Sequence, residues 1–118
     1  GSVYSKNNFL SKWGLPGEDL AIVSATDSVF VPINCEVIDF SRLDDSYGIK
    51  LKYLDYYVYL LNLDHLNIDK DALLRKRDYI GKAKYDTDFD CFLIFLSISK
   101  EGKYMSKDAV KKFLKKNI

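Results

Sequence analysis

Residues 49–63 constrain the fold more than any other part of the chain. Ile49, Leu51 and Tyr53 alternate with Lys50 and Lys52, and a period of two puts the first set on one face of a strand and the second on the other. Asp55 breaks the pattern. Residues 56–63 then carry apolar side chains on both faces, as does a central strand covered on both sides of a sheet, or one covered on one side with a tyrosine-lined outer surface. Two antiparallel strands, the second central to its sheet, are therefore expected here.

The rest of the chain must supply what packs on that hairpin. With 118 residues there is room for one ordinary domain, expected over 3–118, with Gly1-Ser2 read as a cloning scar. Nine Tyr and seven Phe give enough burial to exclude disorder, and charges interrupt every apolar stretch before a membrane-spanning helix is reached. Phe9, Leu10 and Trp13 fall on one helical stripe that Gly14 and Pro16 would end. Residues 29–33 form a run rich in β-branched residues, with Pro32 marking an edge or a bulge, and residues 36–40 alternate weakly as an extension or partner of that run. Residues 64–81 read as a polar connection with a helical turn near 71–75 and a short strand near Tyr79.

Two more helices are expected toward the end. Thr87 and Asp90 have capping-box spacing, and Phe89, Phe92, Leu93 and Leu96 follow on one stripe, so residues 87–98 read as a helix. A buried strand over 91–98 is the competing reading, because the run is almost continuously apolar. Ser106 then opens a last helix with Ala109, Val110, Phe113 and Leu114 inward and Lys107, Lys111, Lys112, Lys115 and Lys116 outward. The expected class is α+β: a single domain, a mostly antiparallel twisted sheet packed with about three helices near 5–13, 87–98 and 106–117.

Chemistry is sparse. His65 is the one histidine, no nucleophile elbow accompanies it, and no Cys-x-x-Cys or His-x-x-x-His pair offers a zinc site, so no catalytic residue, cofactor or metal is assigned. Asp86, Asp88 and Asp90 read as helix-capping acids rather than cation ligands, since the glycine and terminal glutamate of a calcium loop are missing. Cys35 and Cys91 sit in apolar stretches and read as buried reduced thiols; with no signal-peptide pattern in view, the expected location is cytoplasmic.

Net charge is +1, too small for a global field that would draw nucleic acid, although seven lysines and two acids crowd residues 100–118. A nucleic-acid or anionic-surface binder using that lysine helix is the alternative reading. The tyrosines are the most unusual feature. Tyr53, Tyr56, Tyr57 and Tyr59 crowd one hairpin, alternation turns about half of them inward, and the outward ones beside Asp44 and Asp45 would make an aromatic, acidic patch for a basic protein partner.

Three pieces in this order, Asn8-Phe9-Leu10-Ser11-Lys12-Trp13-Gly14-Leu15-Pro16, Asp44-Asp45-Ser46-Tyr47-Gly48-Ile49 and residues 86–96 from Asp86 to Leu96, resemble the SUKH superfamily. That resemblance implies a non-enzymatic α+β bacterial immunity protein that binds and neutralises a cognate toxin, a basic nuclease fitting best. The partner-binding residues expected on this reading are Asp44, Asp45, Tyr47, Tyr56, Tyr57 and Asp64.

Overall fold

Ten strands curl into one antiparallel sheet in the computed structural model, which describes residues 2–4, 20–24, 26–43, 45–88 and 90–117. They are β1 (Ser2–Tyr4), β2 (Leu20–Ser24), β3 (Ser28–Phe30), β4 (Cys35–Leu43), β5 (Ser46–Tyr53), β6 (Tyr56–Leu66), β7 (Leu73–Leu74), β8 (Tyr79–Asp86), β9 (Cys91–Lys100) and β10 (Lys103–Tyr104). One helix, α1 (Lys107–Asn117), follows, and none among the described residues is long and apolar enough to cross a membrane. The order along the sheet is β1-β2-β9-β8-β6-β5-β4-β7, with β10 beside β9, β3 beside β8 and an added β6–β9 pairing.

The expected hairpin is present: β5 and β6 pair from Tyr53↔Tyr56 to Tyr47↔Leu63. Its second strand holds the fold's main irregularity. Between Ile49↔Leu60 and Tyr47↔Leu63, β6 uses one residue more than β5, and Asn62 takes a left-handed φ of 73° there. The bulge resets the alternation. Leu60 and Leu63 both join the main core, while Leu61 is buried outside it. At the same point β6 changes neighbours: residues 56–61 pair with β9, whereas Leu63, His65 and Leu66 pair with β8. The Asn62 side-chain amide donates to the Leu93 carbonyl at 2.8 Å, which ties the three strands where they part.

The main core lies between one face of the sheet and α1. It contains Leu20, Val37, Ile49, Leu51, Val58, Leu60, Leu96, Ile98, Val110 and Phe113. The Ser106 hydroxyl accepts from the Ala109 amide at 3.2 Å, so α1 begins as its sequence signal indicates.

The α+β expectation is corrected to a mainly-β fold. Residues 87–98 are not a helix: Asp86 and Asp88 form the turn between β8 and β9, with the Asp88 amide donating to the Asp86 carboxylate at 2.9 Å. An aspartate bonding the backbone two residues on makes an Asx turn as readily as a helix cap, and Asp90 with φ 52° completes the reversal. What decides for strand is tertiary: β9 has four strand partners to satisfy its backbone. The polar connection at 64–81 is likewise more extended than expected, being divided among the end of β6, β7 and the start of β8. Residues 36–40 lie in β4, which pairs with β5 and β7 rather than with the 29–33 run. The helix expected at 5–13 lies outside the described residues.

Substitutions at Gly81, Gly102 and Asn62 test this scaffold. A β-carbon on Gly81 would stand 2.0 Å from the His65 carbonyl oxygen, a backbone atom that cannot step aside. Gly81→Ala is expected to lose about 3 kcal/mol in urea unfolding. Gly102→Ala, with φ 78° and no atom within 4 Å, should lose only about 1 kcal/mol of backbone preference. Asn62→Ala sacrifices both the tolerated φ and the bond to Leu93, an expected loss of about 3 kcal/mol. Asn62→Gly should recover about 1 kcal/mol of that, and equal losses would show that the backbone angle is unimportant.

Candidate functional site

Alternation in β5 and β6 divides the tyrosines between the two faces. On the core side Tyr47, Tyr53 and Tyr56 pack against the hydrophobic cluster. Tyr56 lies 4.8 Å from the Phe113 ring and Tyr53 6.1 Å from it, so these two anchor α1. On the other face Lys50 projects between Tyr57 and Tyr59, its Nζ 4.4 Å and 5.7 Å from the ring centres. Tyr59 stacks on Tyr104 of β10 at 5.7 Å. Burial, then the hydrogen bond with Tyr59, pushes the Tyr104 phenol up to about 12.

A groove of about 270 Å³ runs beside this cluster, lined by Asp39, Ser41, Lys50, Tyr59 and Leu61 with the backbone around Gly48 and Ile49. Asp39 faces Lys50 across the β4–β5 pair and Ser41 faces Gly48. Deeper in the same face Leu61, Leu93 and Phe95 are buried apart from the main core, and Ser97 is buried opposite Tyr59. The Ser97 hydroxyl finds no hydrogen-bond partner. Aromatic rings, one ammonium group and small polar groups make a surface that can hold a ligand by stacking and hydrogen bonds.

The six residues expected to bind a partner do not share one surface. Tyr47 and Tyr56 face the core and Tyr57 the opposite face; Asp64 is exposed near the end of β6, and Asp44 lies outside the described residues. Asp45, at the β4–β5 turn, pairs with Lys84 of β8. That hydrogen bond and charge hold the Asp45 carboxyl below its ordinary range. Asp55 similarly meets Lys100 at 3.7 Å. The groove residues Lys50 and Tyr59, and Tyr104 stacked beside them, were not among those expected. The Lys50, Tyr57, Tyr59 alternation was a signal for part of it, but Tyr104 joins only through the β9–β10 pairing.

No protein-family model and no curated protein matches this sequence. Solved structures do match in fold. Lysostaphin aligns with a TM-score of 0.68 at 14% identity, over 98% of this chain and 49% of lysostaphin. A zinc-containing peptidase from Vibrio cholerae aligns at 0.60 and 15%, over 77% of this chain and 28% of the peptidase. The SpoIIQ–SpoIIIAH pore-forming complex supplies a third, at 0.59 and 18%, over 93% of this chain and 76% of that one. The chain thus spans less than half of the first two proteins. At these identities the likeness establishes a peptidase-like fold and nothing finer.

The neighbours are peptidase-like and SpoIIQ folds rather than SUKH domains, and the immunity function that resemblance implied is withdrawn, together with its toxin or nuclease partner. Zinc of the kind named for the Vibrio protein does not suit the residues described here. A catalytic zinc takes three protein donors and leaves a position open. This chain has one histidine, exposed His65, and among the described residues no three His, Cys, Asp or Glu side chains converge.

Both cysteines are free thiols, but only Cys35 is deeply buried; Cys91 is half-buried at the start of β9, less enclosed than its apolar surroundings in sequence imply. Burial first, then the nearby Asp78 charge, pushes the Cys35 thiol up to about 11 from 9.0. A thiol whose folded value is raised favours the folded state fully below the unfolded value and loses that contribution as pH rises through the folded one. Stability should therefore decline between pH 9 and 11, and Cys35→Ala should flatten the decline in urea titrations at fixed pH. In the native protein Cys91 should react with iodoacetamide before Cys35, as peptide mapping would show.

Proposed function

We propose that this chain is a protein-binding domain built on a peptidase-like sheet, and that it does not itself cleave peptide bonds. The donor set carries the reading. Peptide hydrolysis by zinc needs converging nitrogen or oxygen ligands, whereas the side chains at the centre of the face opposite α1 are the buried Leu61, Leu93 and Phe95. Around that apolar centre lie Tyr57, Tyr59, Tyr104 and Lys50, residue types suited to gripping a polypeptide surface. Support for a protein partner also comes from the SpoIIQ–SpoIIIAH complex, in which a similar fold is seen in an assembly. Lys50 favours an acidic group on that partner, set against the stacked rings.

Two measurements test the reading together. With stoichiometric zinc and labelled casein, the protein should release no more label than it does with chelator present; a zinc-dependent rate that the chelator abolishes overturns the proposal. Crosslinking in lysate of the source cells should give a protein adduct that Lys50→Glu and Tyr57→Ala both lose while their circular dichroism stays unchanged. An adduct that persists in both variants removes the groove from the interface.

A further inference from the structure

α1 covers the core side of the sheet unevenly. Its Val110 and Phe113 seal the end near Tyr53 and Tyr56. Toward β2 and β3 the cover stops, leaving a half-open apolar cavity of about 320 Å³. Ile22, Leu60, Phe92, Ile94, Leu96 and Leu114 form its walls, and Thr26 and Ser28 are its polar lining. Leu60 and Leu96 are sealed at the bottom, whereas Ile22, Phe92, Ile94 and Leu114 stay half-exposed. Interiors normally close such space, and an apolar cavity stays dry and accepts apolar guests.

Chemistry at one side of the cavity narrows the guest. Ile22 and Leu114 also wall a neighbouring depression, where Lys111, Lys112 and Lys115 stand with one acid, Asp108. Three ammonium groups against one carboxylate beside an apolar slot complement a molecule with an alkyl chain and an anionic head. A cavity of this size lies in the range that holds a small apolar ligand such as a medium-length alkyl chain.

We propose that this cavity binds one medium-chain fatty acid, its alkyl chain along Ile22, Ile94 and Leu96 and its carboxylate against Lys111, Lys112 and Lys115. The site is on the opposite side of the sheet from the tyrosine groove and stands independently of the protein-binding reading. It calls for a single amphiphile, not a membrane surface, because the apolar part is a slot and not an exposed face.

Calorimetry and NMR with decanoate below its micelle concentration test the proposal on the intact chain. Saturable one-to-one binding is expected, with transfer of magnetisation between the decanoate chain and the Ile22 and Ile94 methyl groups. Lys111→Glu with Lys115→Glu should weaken decanoate about tenfold while changing decanol less than about twofold. Ile94→Trp should weaken both ligands by filling the slot, and Leu114→Trp serves the same purpose if the first variant misfolds. The proposal is overturned by the lack of saturable decanoate binding up to about 1 mM, by equal affinity in the double glutamate variant, or by contacts away from Ile22 and Ile94. Association with phosphatidylglycerol vesicles but not with monomeric decanoate overturns it too, in favour of a surface binder.

Discussion

The extra residue in β6 at Asn62 is the constraint on which the remaining structure depends. A regular strand could keep only one neighbour on each edge along its whole length. By accepting a left-handed φ of 73° and bonding the Leu93 carbonyl through its side chain, Asn62 lets β6 leave β9 and take up β8 without stranding a buried backbone acceptor. The sheet curls around that parting. The same residue explains why residues 60–63 read Leu-Leu-Asn-Leu: two leucines serve the main core and one the opposite face, which a strict period of two cannot arrange.

Much of the sheet's centre was legible because it is local. The Lys50 and Lys52 alternation assigned faces in β5, and the split of Tyr56 from Tyr57 follows from the same pleat. α1 was legible for the complementary reason, since a capping serine and an apolar stripe at helical spacing are also local signals. β9 was not. Its turn aspartates make one hydrogen bond, Asp88 to Asp86, that would look the same at the head of a helix. The choice was made by strand pairing on both edges: β8 and β10 pair with it as sequence neighbours, and β2 and β6 supply partners from far along the chain.

The candidate site failed to be read for a related reason. Acids near a turn look free in a sequence, so Asp45 appeared available to a basic partner. The sheet brings Lys84 to it and Lys100 to Asp55, so each of these two acids is met by a lysine within the chain. Lys50, by contrast, carried only a face assignment in the sequence, yet it rests between two tyrosine rings and borders the groove.

β9 is the strand through which these features meet. Its alternate residues serve opposite sides: Phe92, Ile94, Leu96 and Ile98 line the core side beneath α1, while Leu93 and Phe95 form the centre of the other face and Ser97 lies opposite Tyr59. A fold that places so central a strand between two faces can change its chemistry without changing its architecture. The backbone ladder fixes the curl, and the side chains that project from it decide whether the surface coordinates a metal, grips a protein or stays apolar. Here they are leucine, phenylalanine and serine, and a sheet similar in architecture to those of peptidases brings no three metal-donor side chains together among the described residues.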